Sequence, residues 1–252
     1  MMSVQPPGYL PKVVAHRGAS ARAPENTLAA LSLAAELGAR AVEFDVTVSA
    51  DGVPVLMHDD TLNRCSNGMG PVILKDLSAL RMLDAGSWFG ADFAGEPIPT
   101  LQQALALAAE RNLTVNLELK PTLGWESPTV AAVADVLRKT DLTNVPLLVS
   151  SFNVLALERF SNLMPDVDLG WLTEAVPDDW LDHMAALKCV SLHCYEPFVT
   201  PQLVHDVHAH GYRLHVFTVN DPAKAQELFA WGVDAVFTDQ PDVVLEVCTD
   251  ET

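Results

Sequence analysis

Ala41-Val42-Glu43-Phe44-Asp45 is a short apolar run carrying two carboxylates set two residues apart. The pattern recurs along the chain. Val13-Val14-Ala15 leads into His16-Arg17-Gly18, Val55-Leu56-Met57 into His58-Asp59, and Val115-Asn116-Leu117 into Glu118-Leu119-Lys120. Further Val/Leu/Ala-rich runs follow, giving predicted strands at 12–16, 41–46, 114–119, 146–151, 168–172, 189–194, 213–219 and 234–238. Helix-period segments separate them at 25–37, 100–112, 127–139, 153–163, 178–187, 200–210 and 222–231, with one more at 241–248. Near-continuous apolar strands alternating with amphipathic helices indicate a parallel sheet buried on both faces. Eight β-then-α units in about 250 residues favour a closed (β/α)8 barrel over an open sheet.

Boundary signals agree with this reading. Pro24-Glu25-Asn26-Thr27 opens the first helix and Gly38 closes it, while Asp221-Pro222 sets a capping side chain before a proline. Gly211 and Gly232 stand where helix C-caps are expected. Residues 47–99 break the rhythm, being too long for a βα loop and rich in Gly, Pro, Asp and Asn. Their start reads as a hairpin turning at Asp51-Gly52, which would return His58 to the end of the second strand. The remainder is expected to form a small inserted subdomain on the catalytic face of one domain spanning 1–252. It holds a short helix near 75–83 and an aromatic patch of Trp88, Phe89 and Phe93.

Side chains two apart on a strand share a face, so Glu43 projects with Asp45 and Glu118 with Lys120. Charges at the ends of buried strands cost folding free energy unless something pairs with them. Three carboxylates offer hard oxygen donors, suited to Mg²⁺ or Ca²⁺ rather than Zn²⁺. The alternative is that Glu43 and Asp45 simply pair with Arg17 and Lys120. His16 and His58 form the candidate acid–base pair, since imidazole titrates near neutrality. Arg17 and Lys120 are placed to neutralise a phosphate oxygen. His193, near the end of the sixth strand, is a further candidate to face the pocket. His183, His205, His208, His210 and His215 read as solvated or core groups.

The net charge of −18 opposes binding to nucleic acid or anionic lipid, so an anionic substrate must be handled by local cations or a metal. Cys65, Cys189, Cys194 and Cys248 show no metal-type spacing and read as free thiols of a reducing compartment. Met1 to Pro11 lacks the pattern of a signal peptide, and no run approaches a membrane span. A soluble, cytoplasmic protein without a membrane anchor is expected.

Taken together, the motifs resemble the glycerophosphodiester phosphodiesterase family. The resemblance rests on His16-Arg17-Gly18, Pro24-Glu25-Asn26-Thr27, Glu43-x-Asp45, Asp51-Gly52, His58-Asp59, Leu62-x-Arg64 and Gly68. It continues through Glu118-Leu119-Lys120, Ser151-Phe152, Thr218-Val219-Asn220 and the terminal segment from Gly232 to Asp239. Departures are Phe217, where the family often has Trp, and Cys65, where many members have Thr. The resemblance implies a TIM barrel with an insertion after the second strand. It implies a divalent metal on Glu43, Asp45 and Glu118, general acid–base catalysis by His16 and His58, and phosphate binding by Arg17 and Lys120. The implied reaction is hydrolysis of a small-molecule glycerophosphodiester to sn-glycerol 3-phosphate and an alcohol. A lysophospholipase D or phospholipase C-like enzyme acting on lipid is the alternative, with Trp88, Phe89 and Phe93 as its apolar rim.

Overall fold

A computed structural model describes residues 8–248. The reading of the first residues as free of a leader falls largely outside them. Eight parallel strands form the barrel: β1 (Val13–Ala15), β2 (Ala41–Val48), β4 (Thr114–Leu119), β5 (Leu147–Ser151), β6 (Asp168–Thr173), β7 (Ser191–Tyr195), β8 (Arg213–Phe217) and β9 (Ala235–Thr238). Neighbours pair in order, and β1 pairs with both β2 and β9, which closes the ring. The extra strand β3 (Pro54–Leu56) runs antiparallel to the end of β2, with Val46 opposite Leu56. That is the hairpin expected at Asp51-Gly52, and Gly52 turns it with a φ of 79°. The outer layer is α1 (Leu28–Glu36), α3 (Leu101–Arg111), α4 (Glu126–Lys139), α5 (Val154–Leu163), α6 (Trp180–Leu187), α7 (Pro201–Ala209), α8 (Pro222–Trp231) and α9 (Pro241–Leu245).

Strand parity divides the core in two. On β2, Val42, Phe44 and Val46 face outward into the large cluster shared with Leu31, Leu105 and Val130 of the helices. Ala41 instead joins Val14, Leu148, Ala235 and Leu10 in a small cluster at the base of the barrel interior. The period of 2 then carries the same inward face upward through Glu43 and Asp45. On β7 and β8 it carries His193 and His215, both fully buried and bonded to each other at 3.1 Å. Gly170 on β6 makes room for them, because a Cβ there would lie 2.3 Å from His193 Nε2.

Most helix boundaries follow their caps. Thr27, Thr100, Asn153, Thr200 and Asp221 each accept a hydrogen bond from the first turn. The first helix starts later than expected, at Leu28, because Thr27 is its N-cap and Asn26 turns left-handed with a φ of 58°. That turn frees Asn26 to reach β2. Cys189 precedes β7 rather than lying within it, and Cys65, Cys189 and Cys194 are buried free thiols.

Beyond β3, residues 57–99 carry the helix α2 (Leu77–Leu80) and two single 3-10 turns around a core of their own. Met57, Leu62, Cys65, Val72, Leu80 and Ile98 make up that core with Val55 of β3. Trp88, Phe89 and Phe93 pack edge to face at 5.7 and 5.6 Å, and the Trp88 indole donates to Ala85 O. They pack on one another within the insertion and are not among the residues that line the cavity at the C-terminal ends of the strands. No helix of the described residues is long and apolar enough to cross a membrane.

Candidate active site

A cavity of about 470 Å³ opens at the C-terminal ends of the strands. His16, Arg17, Glu43, His58, Glu118 and Lys120 line its polar side, and Phe152, Leu172, Phe217 and Phe237 its apolar side. The barrel brings His16, Arg17, Glu43, His58, Glu118 and Lys120 to one cavity, with Asp45 just below the lining.

The carboxylates meet because β2 and β4 pair in a register that sets Asp45 beside Glu118. Ligand oxygens of Glu43, Asp45 and Glu118 all fall within 4.8 Å of one another. Each of the two on β2 has one oxygen occupied and one spare. Glu43 Oε2 accepts from Arg17 N at 2.9 Å, and Asp45 Oδ2 from Asn26 Nδ2 at 2.8 Å. Glu43 Oε1 and Asp45 Oδ1 are buried with no hydrogen-bond partner. A buried, unpaired carboxylate oxygen is expensive unless a cation takes it. Arg17 and Lys120 pair with Asp45 and Glu118 but leave Glu43 Oε1 without a cation. Arg17 Nε lies 3.3 Å from Asp45, and Lys120 Nζ lies 3.9 Å from Asp45 and 3.4 Å from Glu118. Burial, then the Asp45 charge, pushes the Glu43 and Glu118 carboxyls above their ordinary values. The donor set fits a hard divalent ion.

Each histidine on the rim is oriented by an aspartate. His16 Nδ1 bonds Asp239 Oδ1 at 2.7 Å, and His58 Nδ1 bonds Asp59 Oδ1 at 2.7 Å. A carboxylate only accepts, so in both rings Nδ1 carries the proton and Nε2 keeps its lone pair when the ring is neutral. Asp239 is fixed in turn by Ser20 Oγ at 2.9 Å and Asn220 Nδ2 at 2.7 Å. Burial raises the Asp239 carboxyl, but its bonds to His16, Asn220 and Ser20, with the His16 charge, together outweigh that and leave it at about 2. Burial lowers the His58 pKa, against the opposing pull of Asp45.

Local backbone serves the same end. Arg17 is left-handed with a φ of 56°, which aims its N–H at Glu43. Gly18 follows with a φ of 82°, and a Cβ there would sit 2.5 Å from the Ala30 backbone. Much of the Arg17 fork is already engaged, its Nη1 donating to Glu25 Oε1 at 2.8 Å. His193 is not part of the site. It is bonded to Ser191 Oγ at 3.0 Å beneath the cavity floor, and burial drives its pKa down to about 3.

Sequence reasoning assigned no role to Asp59, Asp239, Asn26, Asn220 or Glu25, although all stand inside quoted motifs. Asp239 lies 223 positions from His16. The missing signal was barrel closure, which seats Ala15 beside Thr238.

Known proteins resemble this chain in sequence and fold. The model of the glycerophosphoryl diester phosphodiesterase family matches residues 16–243. A glycerophosphodiester phosphodiesterase of Caldanaerobacter subterraneus subsp. tengcongensis is 34% identical over 241 residues, covering 93% of this chain and 96% of that protein. One from Bacillus altitudinis is 32% identical over 245 residues, covering 94% and 97%. The structure of an Oleispira antarctica phosphodiesterase in complex with its product sn-glycerol-3-phosphate superposes with a TM-score of 0.94. It is 42% identical, covering 96% of this chain and 98% of that one. With a matched family model spanning the barrel from His16 onward, this chain belongs to the glycerophosphoryl diester phosphodiesterase family.

Proposed function

We propose that this enzyme hydrolyses small glycerophosphodiesters to sn-glycerol 3-phosphate and a free alcohol, with His16 and His58 as general acid and base. The observation that carries the reading is one cavity lined by two aspartate-oriented histidines and by carboxylates with spare buried oxygens. The product held by the Oleispira antarctica relative supports the glycerol phosphate half of the substrate. Glu43, Asp45 and Glu118 would hold one divalent cation, Mg²⁺ or Ca²⁺. When bound, that ion supplies Lewis-acid stabilisation of charge on the phosphoryl oxygens.

The protein's own groups account for the proton movements. Nε2 of one histidine takes the proton of the attacking oxygen, which is water or the glycerol 2-hydroxyl, and the other histidine gives one to the departing alcohol oxygen. In the second case water then opens the cyclic phosphate to give sn-glycerol 3-phosphate. Lys120 and the remaining N–H groups of Arg17 face the cavity and hold the phosphate. Asp59 and Asp239 stabilise the imidazolium that forms on either side. The free thiols of Cys65, Cys189 and Cys194 agree with a reducing, cytoplasmic setting.

The test is a coupled glycerol 3-phosphate assay over a panel of headgroups, with Mg²⁺ or Ca²⁺ restored after chelation. His16→Ala and His58→Ala should each lower turnover at least about 10²-fold. Near-parent activity in both would sink the assignment.

The wall of Phe152, Leu172, Phe217 and Phe237 supports a second reading, lysophospholipase D-like action on a substrate with an acyl chain. Faster turnover of lysophosphatidylcholine than of glycerophosphocholine would favour it.

A further inference from the structure

Arg64 sits in the insertion, yet its guanidinium makes four hydrogen bonds to two carboxylates at the rim. Nε and Nη2 donate to Asp59 Oδ2 and Oδ1, both at 2.8 Å. Nη1 and Nη2 donate to Glu25 Oε2 at 2.6 Å and Oε1 at 2.9 Å. Glu25 also takes Arg17 Nη1 and is itself nearly buried, so it is a fixed anchor. The backbone of Arg64 is fixed as well, because Leu62 and Cys65 on either side are buried in the core of the insertion. Exposed ion pairs contribute little in general, but paired forks between anchored groups restrict geometry strongly. Asp59 is the only hydrogen-bond partner shown for the His58 ring among the described residues. The ring can therefore be no better fixed than the carboxylate that holds it.

We propose that Arg64 is a positioning residue: braced on Glu25, it holds the Asp59 carboxylate in the one setting that locks His58 with Nδ1 protonated and Nε2 free for proton transfer. A lysine cannot replace it, since an ammonium is a point donor and cannot fork to two carboxylates. The contrast with His16 explains why such a brace is needed. Asp239 follows directly on a barrel strand and is held by Asn220 and Ser20, whereas Asp59 lies on a loop beyond the hairpin.

The proposal rests on the catalytic role of His58 given above, and the experiment separates the two. Arg64→Gln and Arg64→Lys are compared with the parent for kcat, KM and the low-field imidazole N–H resonance of His58, identified by its loss in His58→Ala. Both variants should lose about 10- to 100-fold in kcat, as expected for a group acting through a catalytic side chain, with a smaller change in KM. Both should also lose or broaden the His58 resonance. Arg64→Gln added to Asp59→Asn should cause no further fall in kcat, because it acts through Asp59. An unchanged resonance and kcat in both variants overturns the proposal, as does a fully additive loss with Asp59→Asn. If Arg64→Gln does not fold, Arg64→Lys alone decides by the same readings. Full activity of His58→Ala would instead refute the catalytic role of His58 while leaving the resonance to report on Arg64.

Discussion

The barrel interior carries two polar layers, one at the rim and one just beneath it, and both contain buried atoms without partners. At the rim these include Glu43 Oε1, Asp45 Oδ1 and Arg17 Nε; beneath, they include His193 Nδ1 and His215 Nε2. The difference lies in charge and access. Glu43 and Glu118 line the 470 Å³ cavity, where burial and neighbouring carboxylates raise their pKa values, whereas His193 and His215 do not line it and stay neutral. Spare valence that opens onto a cavity is available to a ligand. The same valence sealed under a floor is only a cost of folding, offset here by the Ser191–His193–His215 bonds. Two polar clusters a few residues apart on the same barrel therefore serve function and packing respectively.

Glu43→Gln is the sharpest way to break that comparison. It removes a charge that burial and two neighbouring carboxylates disfavour, while a neutral amide can still accept from Arg17 N. The metal-free variant should be more stable than the parent by about 1 kcal/mol or more, and turnover should fall at least about 10²-fold. Thermal unfolding with and without Mg²⁺ or Ca²⁺ checks it. The parent should gain stability on adding the ion and the variant should not. A variant less stable than the metal-free parent would mean that the rim is not strained.

His193→Ala tests the other layer. It removes a buried ring and its bonds to Ser191 and His215, and should cost about 2–4 kcal/mol with turnover little changed. The pH dependence of stability has opposite signs in the two layers. His193 and His215 have pKa values depressed by burial, so the stability that goes with their neutral forms is present above the ordinary imidazole value. It is lost as pH falls below about 6.5, by up to about 1.4 kcal/mol per pH unit for each ring. Glu43 and Glu118 have raised values, so in the metal-free protein their contribution is greatest below the ordinary carboxylate range and is lost as pH rises. Unfolding of the parent and of His193→Ala from pH 4 to pH 8 should differ most at high pH and converge in acid. A constant difference would show that His193 does not stay neutral.

These two layers also mark how far the sequence could be read. Alternating apolar runs were enough for eight strands and for the hairpin that returns His58, because burial on two faces leaves a local pattern. The rim residues stood out for the same reason, as charges breaking apolar runs. His193 broke an apolar run just as visibly, and only its height in the barrel separates it from the site. Strand height depends on register, which is set by pairing between distant segments. Asp239 and Arg64 stood in quoted motifs without a role on related grounds, since one needs ring closure and the other needs the fold of the insertion. Trp88, Phe89 and Phe93 were legible as a cluster but not as one turned upon itself.

The smallest effect is expected at the apolar wall, where Phe152 stands edge-on to Phe217 at 5.6 Å and remains 43% exposed. A ring so placed binds by covering part of the substrate and takes no share in proton transfer. Phe152→Ala should raise KM for glycerophosphocholine severalfold, equivalent to about 1 kcal/mol, with kcat near that of the parent. The size of the change across substrates is the informative quantity. Burial scales with apolar area, so if an acyl chain lies along this wall the loss for lysophosphatidylcholine must exceed the loss for glycerophosphocholine. Equal losses would confine the wall to the glycerol phosphate and headgroup, and would remove the one structural support for the lipid reading.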